Sequence, residues 1–242
     1  MPCGAIWGGI QPVSLGACTK GVNASLYSNA SGGDRGGDIY FMSVCPNDLC
    51  TRMPVADVRG HGEQVSDISS WIYQSLQDKM SSIDCADVLS DLNQMVHERG
   101  SVAINTVAVI SHDIGNSTLY YSYAGHPLVL IRGGSRRWLP LVLNTQSGQA
   151  NLPLGVLHSV RYDQGEARVE AGDRFLLYTD GLSEAMNPES DEEFGEKELL
   201  AMLEAHEDSE LACLRDALIE GVTAFSGGPL LDDCTLMVAE VR

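Results

Sequence analysis

The chain has 242 residues, 44% hydrophobic and 20% charged, which is enough to bury a sizeable core in one domain and lacks the bias of a disordered polymer. Its formal net charge of −18, from 33 acidic against 15 basic residues, opposes contact with nucleic-acid phosphates and anionic membranes and suits a protein that gathers divalent cations. Seven scattered cysteines (Cys3, Cys18, Cys45, Cys50, Cys85, Cys213, Cys234) hold no Cys-x-x-Cys pair, which argues against a disulfide framework or a zinc site and predicts a reducing, cytoplasmic setting.

The amino terminus, MPCGAIWGGIQPVSLGACTKG, has no basic leader, and glycine and proline interrupt it before a long apolar run develops. Residues 1–20 are expected to form an arm or irregular edge, and residues 21–242 the domain. No later segment approaches the roughly 18 apolar residues of a membrane span. VNASLYSNA is a first strand, and SGGDRGG at 31–37 a turn, because glycine permits positive φ and aspartate tolerates it. Strands at 38–45 and 50–58 follow, joined by PNDL.

Beyond residue 62 the apolar period changes. Val65, Ile68, Ile72 and Leu76 mark an amphipathic helix ending near Lys79, and Val88, Leu92 and Val96 mark another over 84–98. The middle of the chain reads as hairpins: NTVAVISHD, the IGN turn, STLYYSYA, then PLVLIR, the GGS turn and RWLPLVL. DRFLLYT at 173–179 runs into a DG pair. The run ESDEEFGEKE at 189–198 is a charged loop entering a helix, two helices lie near 194–205 and 208–224, and CTLMVAEV closes the chain as a strand. This order predicts an α+β fold of antiparallel sheets covered by helices.

Four aspartates fall at strand ends: Asp38, Asp57, Asp180, and either Asp232 or Asp233. One such residue beside a glycine is usually a turn former. Several at one edge of a sandwich repel, by about 1 kcal/mol per pair 4 Å apart in water and about 4 at an effective dielectric near 20, unless cations sit among them. Oxygen-only ligands select hard ions, so Mg²⁺ or Mn²⁺ is expected over zinc.

The segments GGD at 36–38, ADVRGHG at 56–62, AGHP at 124–127, LPLG at 152–155, YTDG at 178–181, FG at 194–195 and DDCT at 232–235 together resemble the metal-dependent PPM protein phosphatases, in their order and rough spacing. The likeness is greatest to the bacterial SpoIIE/RsbU-like branch, and it runs from about residue 21 to the end. It implies an αββα four-layer sandwich, two antiparallel sheets flanked by helix pairs, with two divalent cations, Mn²⁺ or Mg²⁺, at one end. By that resemblance Asp57 bridges both ions and the Val58 backbone carbonyl completes one. Asp180 and Asp232 hold the other, with Asp38 acting through water; Asp233 is the alternative to its neighbour. The implied reaction is hydrolysis of phosphoserine or phosphothreonine by a water that the two ions activate, with Asp57, Asp180 and Asp232 as the residues through which catalysis acts.

Arg35 and Arg59 are candidate phosphate contacts. Arg59 stands where that branch has a small residue, so it either meets phosphate or reshapes the metal turn. His61 is a candidate proton donor where relatives often carry lysine, and His126 is expected to be a hydrogen-bonded structural histidine. Phe41 replaces a residue that is commonly polar. The expected partner is a phosphorylated protein, in this branch an anti-sigma-factor antagonist, with a homodimer as a further expectation and neither nucleic acid nor membrane insertion. A catalytically weak phosphoprotein-binding module is the alternative function, and a two-metal nuclease is opposed by the acidity of the chain.

Overall fold

The structure is a computed structural model and describes residues 4–45, 47–60, 65–79, 82, 84–100, 105–144 and 152–242. In chain order it contains β1 (Gly4–Gly9), β2 (Val13–Cys18), β3 (Val22–Asn29), β4 (Ile39–Val44), β5 (Cys50–Val58), α1 (Ser66–Lys79) and α2 (Cys85–Glu98). There follow β6 (Asn105–Asp113), β7 (Thr118–Ala124), β8 (Leu130–Arg132), β9 (Trp138–Pro140), β10 (Gly165–Arg168) and β11 (Arg174–Tyr178), then α3 (Asp180–Ser183), α4 (Gly195–Ala205), α5 (Leu211–Phe225) and β12 (Cys234–Val241).

The strands form two six-stranded antiparallel sheets, in the orders β1-β4-β5-β6-β7-β10 and β2-β3-β12-β11-β8-β9. Strand periodicity decides where each side chain goes. In β12, Met237, Ala239 and Val241 enter the core between the sheets, whereas Cys234, Leu236 and Val238 meet α4 and α5. In β5, Met53 and Val55 face the inter-sheet core, and Ala56 and Val58 face α1 and α2. Both faces of the central strands are therefore dry, which is why those strands are apolar almost without interruption. The layers run helix, sheet, sheet, helix, as the αββα expectation required.

The helices bury the stripes their spacing predicts. Ile72 and Leu76 of α1, and Val88, Leu89, Leu92 and Val96 of α2, pack on the first sheet. Asp84 caps α2 by accepting hydrogen bonds from the amides of Ala86 and Asp87. Phe41 is buried in the same layer and meets Tyr73 edge to face at 5.9 Å, so its aromatic character serves packing. Leu199 and Leu203 of α4, with Leu214, Leu218 and Val222 of α5, cover the second sheet. Phe194, in the acidic run before α4, is buried against Phe225 at 5.3 Å.

Of the two expectations for residues 1–20, an arm or an irregular edge, the segment takes the form of an edge: it supplies β1 and β2, the edge strands of the two sheets, paired to β4 and β3, with a register shift in β1 between Ala5 and Trp7. Its glycines and proline hide the alternation, and edge strands tolerate both residues. Likewise PLVLIR and RWLPLVL contract to the three-residue strands β8 and β9, since Pro127 and Pro140 each remove a ladder donor. Among the described residues, no helix is long and apolar enough to cross a membrane.

Candidate active site

Antiparallel pairing collects particular strand ends at one edge of the sandwich. Ile39 pairs with Ala56 and Val58 with Asn105, which sets Asp38 and the end of β5 beside the start of β6. In the other sheet Tyr178 pairs with Leu236, which sets Asp180 beside Asp232 and Asp233. The sheets are joined there by the Thr179 hydroxyl, which donates to Asp38 Oδ2 at 2.7 Å and accepts from the Thr235 amide at 2.9 Å.

The electrostatics record this convergence. The Asp57 carboxyl is pushed up to about 8, by burial first and then by Asp180, Asp232, Asp233 and Glu184. Asp38, 2% exposed, is raised well above the usual carboxylate range by burial, then by Asp57 and Asp233, against the hydrogen bonds of Thr179 and Thr235. Its Oδ1 is buried without a hydrogen-bond partner among the described residues. Asp180 is raised by burial and Asp232, and Glu184 by burial, Asp180, Glu193 and Asp232. Asp38, Asp57, Asp180 and Glu184 are thus each raised by burial and by the carboxylates around them at the gap between the sheets.

The neighbouring aspartates have different tasks. Asp233 is 2% exposed, and its two oxygens accept the amides of Ser31 and Gly37, so it clamps the 31–37 loop. Asp232 is exposed, with Oδ1 accepting the Asp233 amide at 2.8 Å. The glycines explain the tight motifs. A Cβ on Gly37 would lie 2.6 Å from the Val58 carbonyl oxygen, and one on Gly36 would lie 2.6 Å from Asp233 Oδ2. On Gly181 a Cβ would sit 1.9 Å from the Asp233 carbonyl oxygen. GGD and TDG are therefore the sequences that let these backbones touch.

Two observations fit cations at this end: an orphaned buried carboxylate oxygen on Asp38, and a set of oxygen donors that repel without positive charge. Among the described residues, however, no three His, Cys, Asp or Glu side chains are drawn together as a closed ligand set. The arrangement is an open acidic mouth.

Arg35 and Arg59 are exposed, and among the described residues neither forms an ion pair. His61 lies outside the described residues. His126 is buried, with Nδ1 3.1 Å from the Pro127 carbonyl, as a structural histidine would be; burial pulls its pKa down to about 4. Its Nε2 has no partner among the described residues, and it lines a cleft of about 340 Å³ with Thr106, Asp180 and Glu184. Sequence reasoning overlooked Glu184, although its spacing of four from Asp180 places both on one side of a helical turn. A groove of about 640 Å³ adjoins, walled by Ala185, Met186, Pro229 and Leu231 and reaching Glu184 and Asp232.

Residues 47–242 match the family described as Stage II sporulation protein E (SpoIIE). The chain is 25% identical over 235 residues to a Stage II sporulation protein E of Priestia megaterium, covering 95% of this chain and 38% of that protein. In structure it is similar to the RsbU and RsbW domains of a Mycobacterium tuberculosis protein, with TM-score 0.77 and 20% identity over 97% of this chain and 61% of that one. It is also similar to RsbX in complex with magnesium, with TM-score 0.68 and 16% identity over 95% of this chain and 100% of that one.

Proposed function

The chain belongs to the SpoIIE family, and from that membership we propose that it is a metal-dependent phosphatase acting on phosphoserine or phosphothreonine of a partner protein. The observation that carries this reading is the crowding at Asp57. A carboxyl held near 8 by burial first and then by four carboxylate neighbours would ionise fully at neutral pH only with cations among them. Asp57, Asp180 and Asp232 would hold them with the Val58 carbonyl, and Asp38 would stand behind. Two divalent cations, Mn²⁺ or Mg²⁺, would supply positive charge for the phosphoryl oxygens and acidify a water for in-line attack.

The chain's own residues then have defined work. Thr179 and Thr235 orient Asp38, and Asp233 fixes the loop that carries Gly37 against the Val58 carbonyl. Arg35 and Arg59, exposed at the rim, are available to phosphate oxygens. The groove beside Asp232, where Leu231 is 88% exposed, suits a polypeptide next to the phosphorylated residue better than a small ester. An anti-sigma-factor antagonist in the cytoplasm is the substrate class this reading favours.

The test is hydrolysis of p-nitrophenyl phosphate by purified protein with and without Mn²⁺. Turnover that requires the ion and is lost in folded Asp57→Asn supports the reading. Phosphopeptide binding without any turnover would replace it with a binding module.

A further inference from the structure

Away from the acidic mouth, the turn between β4 and β5 brings two thiols to one arginine. Cys45 follows β4 and Cys50 begins β5; the Cys45 amide donates to the Cys50 carbonyl at 3.0 Å, one step beyond the Val44–Thr51 pair, so the two cysteines oppose each other across the hairpin. Opposed residues of such a pair have Cα atoms about 5.5 Å apart, inside the range that a disulfide spans. Arg52 lies two residues beyond Cys50 and therefore on the same face. It is 1% exposed, its Nε donates to the Ser82 carbonyl at 3.0 Å, and its Nη1 lies 3.0 Å from Cys45 Sγ.

The two sulfurs are unlike. Cys45 is partly exposed, and its sulfur accepts a hydrogen bond from the buried Arg52 guanidinium. Cys50 is 5% exposed, and burial pushes its thiol up to about 12 although Arg52 opposes the shift. The first is placed to attack an oxidant, and the second to resolve the product.

We propose that Cys45 and Cys50 form a thiol-oxidation site whose oxidant is a hydroperoxide and whose product is a disulfide across the β4–β5 hairpin. Cys45 Sγ attacks the terminal peroxide oxygen; an S–O bond forms, the O–O bond breaks, and the remaining oxygen leaves as water or an alcohol with the proton the thiol gave up. Cys50 Sγ then attacks the Cys45 sulfur. An S–S bond forms, the S–O bond breaks, and the hydroxyl leaves as water with the Cys50 proton. Two electrons pass from the thiols to the peroxide.

The experiment uses the intact chain, treated with hydrogen peroxide and digested with trypsin. Cleavage after Arg35 and Arg52 releases GGDIYFMSVCPNDLCTR, which carries both cysteines. This peptide should become lighter by two hydrogens, reversibly with a reductant, and Cys45 should react about tenfold faster than the exposed Cys213 of the same molecule. Cys50→Ser should leave a sulfenic acid on Cys45 that dimedone captures, and Cys45→Ser should abolish both products. Equal reactivity of Cys45 and Cys213, or a peptide that gains oxygen without losing hydrogens, would overturn the proposal.

Discussion

The two ends of the β11–β12 ladder treat charge in opposite ways. At one end Arg174 stands directly across from Glu240, and the pair closes at 2.7 Å. Arg174 Nη1 also donates to the carbonyls of Glu207 and Ser209, and Arg132 reaches the Glu207 carboxylate at 3.1 Å. At the other end of the ladder, the same two strands deliver Asp180, Asp232 and Asp233 to a mouth that already holds Asp38, Asp57 and Glu184. Among the described residues no lysine or arginine pairs with any of these. The chain has cations and places them accurately where it needs a closed structure. Leaving the other end without them is a property of the site, and on the reading proposed above the missing charge would come from cations in solution.

The strongest way to break this contrast is to remove a carboxylate from the open end. Asp57→Asn and Asp180→Asn should each lower Mn²⁺-dependent hydrolysis of p-nitrophenyl phosphate by about 1,000-fold, the loss of roughly 4 kcal/mol of charge stabilisation, while circular dichroism stays native. Glu240→Gln at the closed end should leave turnover unchanged. If both kinds of substitution abolish activity equally, the two ends do not differ as argued.

Gly181→Ala tests the contact that sets Asp180 against the β12 entrance. A Cβ 1.9 Å from the Asp233 carbonyl oxygen forces backbone to move, and stability should fall by about 3 kcal/mol, or roughly 6–12 °C in thermal midpoint. Gly134, around which a Cβ would meet nothing within 4 Å, is the matched control and should tolerate alanine.

The open end should also give the protein a pH dependence. Asp57 holds its proton more tightly folded, near 8, than unfolded, near 3.8, so its contribution is full below the lower value and is lost as pH rises towards the upper one. Cation-free protein should therefore be less stable at pH 8 than at pH 5.5 relative to Asp57→Asn, by about 2 kcal/mol after allowance for solvent screening. Mn²⁺ should raise the thermal midpoint more at pH 8 than at pH 5.5, because ion and proton compete for the same oxygens. Calorimetry at the two pH values, with and without the ion, gives both comparisons.

Much of this architecture could be read in advance because it depends on periodicity. The stripes of α1 and α2 follow from a local pattern, and two-sided burial gives β5, β6, β11 and β12 their long apolar runs. What was not resolved was weakly patterned: the strands β1 and β2 within the expected irregular edge, broken by glycine and proline; β10, whose GEAR alternates charge at an edge; and α3, a single turn. The aspartates stood out as residues, but local pattern could not show that they meet, since Asp38 and Thr179 touch across 141 positions of chain. Family resemblance supplied that step. Glu184 escaped because its importance comes only from its neighbours, Asp180 and Asp232, and nothing in EAMN distinguishes it from a surface glutamate.

The smallest expected effect separates Asp232 from Asp233, which adjoin in sequence and differ in environment. Asp233 spends both oxygens on buried amides of the 31–37 loop. In Asp233→Asn the new NH₂ would face one of those N–H donors, so one buried amide loses its acceptor, at a cost of about 1–2 kcal/mol. Asp232 is exposed and satisfies only the amide that follows it, so Asp232→Asn should change stability by less than about 0.5 kcal/mol. The functional signs reverse: Asp232→Asn should raise the Mn²⁺ concentration needed for half-maximal turnover, whereas Asp233→Asn should lower the thermal midpoint and leave that concentration nearly unchanged. A stable Asp233→Asn with weakened Mn²⁺ dependence would exchange the roles, and would mean that the carboxylate holding the loop is also the one that faces the ion.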